Sequence, residues 1–338
     1  MKRKIITAML LVCAGLLSLA LREPEEFTRS TMSMNTIIRM TVYDNEKVLD
    51  EAFGLLDDLD RKLSMYNPSS DISRINANSG HDVDAHTLNV VKDALRLHEI
   101  TGGVFNPLIG AVTRLWKINQ ADGKMPSPES LDNAVKLADI RNLVISGDSV
   151  YLREKGCVLD LGGIAKGYAS TAISKLMKDR GVKSAIIDLG GNVHAVGSKP
   201  DGSAWRIGVR NPLEPMGTPA LIADIRDCAV ITSGNYERFK TIDGKKYSHF
   251  FNPVTGESVN SELLSVTVIS PDGSLADGLA TAFMITGVNK ALEILGNIAE
   301  PPGVIFITQE GIIATENLRP VITKSLIPVT FASGWKAP

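Results

Sequence analysis

The sequence predicts an α+β fold of mixed, largely antiparallel sheets flanked by helices. Short apolar β runs recur through the middle of the chain, and hairpin signals separate several of them. A few longer helical periods interrupt the series without the regular alternation of a doubly wound parallel sheet. The 338 residues are 44% apolar and 22% charged, with a formal net charge of -2. That composition excludes long disorder, low-complexity character and an electrostatic nucleic-acid binder.

At the N-terminus, Lys2, Arg3 and Lys4 precede an uncharged apolar run from Ile5 to Leu21, the basic and apolar regions of a secretory signal. Ser18 and Ala20 supply a small-x-small cleavage site. The run falls short of the roughly 20 residues that span a bilayer. Residues 1–20 are therefore expected to be cleaved, with an uncleaved inner-membrane anchor as the alternative and the periplasm as the destination. Val12 is bulkier than lipoprotein processing before Cys13 requires. The exported chain then keeps Cys157 and Cys228, read as two buried thiols or one disulfide.

Residues 21–31 read as a polar tether, 32–325 as one functional unit and 326–338 as a tail. MNTIIRMTVYD reads as a strand ending near Asp44. Between Glu46 and Leu63, apolar residues recur at helical spacing while Asp50, Glu51, Asp57, Asp58 and Asp60 form a solvated face. Asp84 caps a helix running to about Ile100, and Ser127 caps another with Pro128 at its first position. Strands are expected at Leu143–Ser146, Val150–Leu152 and Cys157–Leu161, then a helix from Ile164 to Arg180. Further strands follow at Ser184–Leu189, Val193–Val196, Trp205–Val209, Ala220–Ile225 and Ala229–Thr232. An Asp243-Gly244 turn leads to Tyr247–Phe251. Leu263–Ser270 precedes a helix from Asp277 to about Thr286, and Val304–Thr308 and Ile312–Thr315 complete the series. The segments Asp160-Leu161-Gly162-Gly163 and Asp188-Leu189-Gly190-Gly191 read as two turns of similar shape.

Several segments carry chemistry. LDLGGIAKG puts Asp160 at a strand end, glycines at a turn and Lys166 at a helix start, a setting suited to phosphate or to plain structure. Walker and Rossmann glycine spacings are absent. Asp277 and Thr281, four residues apart, place a carboxylate and a hydroxyl on one helix face, which suits Mg²⁺ or simple capping and packing. His249, in YSHFFNPVTG, sits beside a loop where a base can reach a ligand, or is a satisfied structural histidine. His81, His86, His98 and His194 lack zinc spacing. Tyr66 offers an aromatic platform, and Asn106-Pro107 lies in a glycine-rich loop.

The order of these motifs resembles the FAD:protein FMN transferase family, the ApbE-like flavin transferases. The resemblance runs over roughly residues 32–290. It takes in Met34-Asn35-Thr36, SMYNPSSDISRIN, VFNPLIGAVTRLW, LDLGGIAKGYA, SAIIDLGGNVHAVG, AVITSGNYERF, YSHFFNPVTG and SVTVISPDGSLADGLATAF. It implies two intertwined subdomains around a flavin nucleotide cleft. It also implies an exported, Mg²⁺-dependent enzyme that cleaves FAD and joins FMN by a phosphodiester bond to a threonine or serine of an acceptor protein, releasing AMP. Carried over by motif, Met34, Tyr66, Asn106, Pro107, Leu108, Asp160, Lys166 and the backbone around Phe251 contact the flavin nucleotide. Gly163, through its carbonyl, Asp277 and Thr281 hold the metal. His249 is the candidate base, and Asp160 the next.

The implied acceptor is a redox protein, a membrane electron-transport subunit with an exposed threonine; a monomer is the default state, with no nucleic-acid partner. The alternatives are an FAD pyrophosphatase releasing FMN and AMP, a non-catalytic periplasmic FAD-binding protein, and a structural partner in assembling a redox complex. Against the family pattern, Asn35 stands where Gly is usual, Gly163 where Ala is common, and Asn252 where Asp is usual. Asn252 would thus withdraw a charge from the metal region.

Overall fold

The computed structural model describes residues 24–43, 45–77, 81–118, 124–236 and 238–332. The signal segment with its cleavage site and Cys13, as well as Asp44, lie outside these residues. In chain order the elements are β1 (Glu26–Ser33), β2 (Thr36–Tyr43), α1 (Val48–Leu63), α2 (Asp71–Asn76), β3 (His81–Asp82), α3 (Ala85–Ile100), α4 (Gly110–Trp116) and α5 (Pro128–Lys136). The middle holds β4 (Leu143–Ser146), β5 (Ser149–Leu152), α6 (Ala165–Asp179), β6 (Ser184–Leu189), β7 (Val193–Gly197), β8 (Trp205–Arg210) and β9 (Pro219–Ile225). Then come β10 (Ala229–Gly234), β11 (Phe239–Ile242), β12 (Lys245–Ser248), β13 (Leu263–Ser270) and α7 (Gly273–Gly296). The last strands are β14 (Gly303–Thr308), β15 (Ile312–Thr315), β16 (Ile322–Ser325) and β17 (Val329–Ala332).

A nine-stranded sheet in the order β1-β2-β6-β7-β10-β13-β14-β15-β17 is the backbone of the fold. Its pairings are antiparallel except β15 with β17, which is parallel. Both faces are covered. Val266 and Val268 of β13 and Val304 and Phe306 of β14 point into a core with α1, α3, α6 and α7. The alternate residues Ile269, Ile305 and Ile307 point the other way, onto Trp205, Val209, Leu221 and Ile225 of a small β16-β9-β8 sheet. The two-residue period of a strand thus feeds two separate cores. A third cluster gathers Val112 and Trp116 of α4, Leu131 and Ala134 of α5, and Phe251.

Local chemistry explains the helix starts. Asp84 accepts the His86 N–H at 2.8 Å, and Ser127 caps α5 through the Ser130 N–H at 3.2 Å, with Pro128 opening the helix. On α1, Val48, Leu49, Ala52, Leu56, Leu59 and Leu63 are buried. Helix α7 is apolar on nearly every side because it lies between the sheet and the other helices.

Several expectations change. The supposed tether contains β1, which pairs along its whole length with β2, and the supposed tail contains β17, which extends the main sheet beyond β15. Polar composition concealed β1 because an edge strand keeps one face in water. Cys157–Leu161 forms no regular strand beyond a single bridge from Val158 to Ile109. Its polar groups are taken otherwise: Asn76 bonds both the Leu159 N–H (2.7 Å) and C=O (2.9 Å), and the Asp160 N–H reaches the Pro107 carbonyl at 2.8 Å. The strand expected over Tyr247–Phe251 ends at Ser248.

The two Asp-Leu-Gly-Gly turns also differ. Gly190 and Gly191 have φ of 70° and 93°, and Asp188 accepts the Gly191 N–H; in the first turn Asp160 accepts the Gly162 N–H, and neither glycine is left-handed. Cys157 and Cys228 are free thiols, their pKa values raised by burial.

Candidate functional site

A cleft of about 470 Å³ opens where the helical layer meets the third cluster. One wall is the β1–β2 turn, in which Met34 (φ 47°) and Asn35 (φ 60°) are both left-handed. Such a two-residue turn matches strand twist, but a methionine there is strained. Asp60 holds it: one carboxylate oxygen accepts the Met34 N–H at 3.0 Å and the Ser33 hydroxyl at 3.0 Å. The acidic stretch of α1 is therefore not uniformly a solvated face, since Asp60 turns into the cleft.

Tyr66 stands at the mouth, 70% exposed. Its phenol pKa is raised by partial desolvation and then by the charge of Asp160, with Arg238 and Arg114 opposing. All four residues line the cleft. Phe251 lines it and is backed by the buried Trp116, with ring centroids 5.7 Å apart; the Trp116 indole N–H bonds the Gly256 carbonyl at 2.7 Å.

Helices α6 and α7 cross at Gly167. A Cβ on Gly167 would lie 2.1 Å from the Gly273 carbonyl oxygen and 2.6 Å from the Asp277 Cβ, so only glycine permits this approach. The contact lets the Gly167 N–H donate to Asp277 Oδ2 at 2.9 Å. Helix α7 begins at Gly273 with Asp272 as its cap, through the Leu275 N–H. Asp277 is therefore one turn inside the helix, neither capping it nor facing its N-terminal dipole, contrary to the helix start expected from the sequence. Burial raises the Asp277 pKa, opposed by the Lys166 charge and the Gly167 hydrogen bond.

Thr281 sits one turn further along and faces Gly163, whose added Cβ would be 3.2 Å from the Thr281 hydroxyl. A buried carboxylate beside a hydroxyl, with the Gly163 segment opposite, is a set of hard oxygen donors and fits Mg²⁺. Among the described residues no three His, Cys, Asp or Glu side chains converge. A metal here would accordingly take a sparse protein donor set completed by other oxygens.

His249 also lines the cleft. Its Nδ1 lies 3.1 Å from the Arg238 carbonyl oxygen, which can only accept, so Nδ1 carries the proton in that bond and Nε2 keeps a free lone pair. Burial lowers its pKa to about 4, and the charges of Arg238 and Lys166 push the same way. Lys166 thus acts electrostatically on both His249 and Asp277.

Of the residues expected from sequence, Met34, Tyr66, Asn106, Asp160, Gly163, Lys166, His249, Phe251, Asp277 and Thr281 share this one cleft. Pro107 and Leu108 are not part of its lining; both are buried, Leu108 in the main core. Asn106 braces its loop, donating to the Ala138 carbonyl and accepting the Leu108 N–H. Sequence reasoning missed Asp60, Arg114, Asn192, Thr232, Ser233 and Arg238. The SGNYERF run was the available signal for Ser233 and Arg238.

Comparison with known proteins decides the family. The sequence profile of the ApbE family matches residues 34–305. The chain belongs to the ApbE family. It is 34% identical over 303 residues to the FAD:protein FMN transferase of Treponema pallidum, covering 82% of this chain and 83% of that protein. The solved flavin transferase ApbE of Vibrio cholerae superposes with a TM-score of 0.79 at 27% identity, covering 89% of this chain and 100% of that one. The Pseudomonas stutzeri flavinyl transferase ApbE gives 0.80 at 27% identity, with 90% and 99% covered.

Two of the three residues noted above as departures, Asn35 and Asn252, have local explanations. Asn35 occupies a left-handed position that asparagine tolerates. Asn252 is not in the cleft lining; its Oδ1 accepts the Val254 and Thr255 N–H groups at 2.8 and 3.3 Å, a turn-capping role that needs an oxygen and no charge.

Proposed function

We propose that this FAD:protein FMN transferase is exported. In this reading it cleaves the pyrophosphate of FAD and joins FMN through a phosphodiester bond to the threonine hydroxyl of an acceptor redox protein, with Mg²⁺ required. The observation that supports it best is the convergence of Asp277, Thr281, Lys166 and His249 on one cleft. The signal-like N-terminus supports export, and a membrane electron-transport subunit fits as acceptor.

Asp277, Thr281 and the Gly163 carbonyl would hold the metal. Bound there, Mg²⁺ supplies charge neutralisation at the pyrophosphate oxygens. Lys166 adds a positive charge for the phosphates, while the Tyr66 ring and the backbone around Phe251 meet the nucleotide. His249 Nε2 accepts the proton of the threonine hydroxyl as that oxygen bonds to the FMN phosphorus and the bond to the AMP phosphate breaks. A pKa of about 4 makes free His249 a weak base. Two phosphate charges arriving beside Lys166 raise it toward the useful range.

The test incubates the mature protein with FAD, Mg²⁺ and a flavin-accepting protein, then reads covalent flavin fluorescence in a gel and AMP release. Covalent fluorescence with AMP supports transfer. AMP and FMN without it mean hydrolysis, and unchanged bound FAD means a binding protein. A His249→Ala protein with full transfer rate would remove the assigned base.

A further inference from the structure

Strands β11 and β12 form a two-stranded ribbon that joins no other sheet. It runs directly into His249, with Arg238 at its other foot, and both residues line the cleft. One face is anchored: Lys240 and Ile242 are buried, and Tyr247 packs on Trp116 with centroids 5.4 Å apart. The other face is open. Phe239 is 40% exposed, and the Lys246 ammonium lies over its ring at 4.5 Å.

Charge sets the ribbon apart. From Arg238 to His249 the sequence carries Arg238, Lys240, Lys245 and Lys246 against the single acid Asp243, whereas the whole chain nets -2. Neither Lys245 nor Lys246 is buried: both are exposed, Lys245 over the Tyr247 ring at 5.3 Å and Lys246 over Phe239. An arm with an exposed aromatic ring and a positive field, rooted beside the residue that must meet an incoming hydroxyl, has the features of a docking element.

We infer that the β11–β12 arm docks the protein acceptor by receiving an acidic segment next to the modified threonine. This rests on the transferase reading above. The acceptor is the committed occupant because both ends of the arm, Arg238 and His249, lie in the cleft lining, so a segment held on its lysines is next to the assigned base. An anionic membrane would satisfy the lysines but gives no reason for their position at the cleft.

The test uses the mature protein and two labelled threonine peptides of equal length, one with aspartates around the threonine and one with glutamines. Fluorescence anisotropy should give at least about tenfold tighter binding of the acidic peptide, weakening with salt. A Lys245→Glu/Lys246→Glu protein should lose that preference, and a Lys245→Arg/Lys246→Arg protein should keep it. FAD binding and the melting temperature should be unchanged in both, which shows an intact fold and cleft. Equal binding of the two peptides, or a preference that survives charge reversal, overturns the docking assignment. So does lysine-dependent binding to phosphatidylglycerol vesicles without any peptide preference. Absence of flavin transfer and AMP release with either threonine peptide would instead count against the threonine-acceptor reading, and the two failures are distinct.

Discussion

Replacing Gly167 with alanine probes the crossing on which the position of Asp277 depends. The new Cβ would sit 2.1 Å from the Gly273 carbonyl oxygen, with the Gly273 carbonyl carbon at 2.7 Å and the Asp277 Cβ at 2.6 Å. Two of these are backbone atoms that no rotamer change can move. The helices must part by on the order of 1 Å to approach ordinary carbon contact. Overpacking of this kind costs about 1–3 kcal/mol. At about 2–4 °C per kcal/mol, the melting temperature should fall by several degrees. The same displacement draws the Gly167 N–H from Asp277, and a misplacement of about 1 Å near the chemistry can lower a rate about 100-fold.

Thermal unfolding followed by circular dichroism, paired with FMN transfer at saturating FAD, measures both effects. Gly54 provides the control: it lies in α1 with nothing within 4 Å of its added Cβ. Gly54→Ala should stabilise by about 0.5–1 kcal/mol and leave transfer unchanged. A Gly167→Ala protein that melts and turns over like the unaltered one would refute the packing argument.

Other perturbations address separate parts of the site. Asp60→Ala removes both bonds to the Met34 turn and should cost about 1–3 kcal/mol, while raising KM for FAD several-fold with kcat nearly unchanged; steady-state kinetics decides. Asp277 has its pKa raised by burial, so its favourable contribution is complete at low pH and fades as pH rises through the folded value. Metal-free Asp277→Asn should therefore be more stable at neutral pH yet lose any Mg²⁺-induced rise in melting temperature; an undiminished rise would remove Asp277 as a ligand. His194 is buried against Ser170, and burial lowers its pKa to about 4. Its contribution is present above about pH 6.5 and lost as pH falls toward 4. Denaturant titrations of His194→Asn should show a shallower acid loss over that window, and an unchanged slope would place the acid sensitivity elsewhere.

The sequence made some parts of this molecule easier to read than others, for physical reasons. Asp84 and Ser127 announced their helices because an oxygen before a helix start satisfies a free amide within three residues, a purely local event. Strands such as Leu263–Ser270 were legible because their apolar runs fill cores on both sides. By contrast, β1 and β17 are edge strands of polar or mixed composition, defined only by the strand beside them. Asn76 ended the expected Cys157–Leu161 strand from 83 residues away, a pairing that no local pattern encodes. In the site, motif order marked Lys166, Asp277 and Thr281, but could not reveal that Asp60 faces inward or that the Arg238 carbonyl sets the His249 tautomer. Both depend on where two distant segments meet.

The cleft takes Met34 from the first hairpin and Thr281 from the last helix, so almost the whole chain must be folded before it exists. If the chain is exported unfolded and N-terminus first, Met34 leaves while Thr281 is still being delivered. The two halves then first meet on the far side. Export would in that way act as a safeguard on timing, keeping the cytoplasmic flavin pool away from a finished active site without any separate inhibitor.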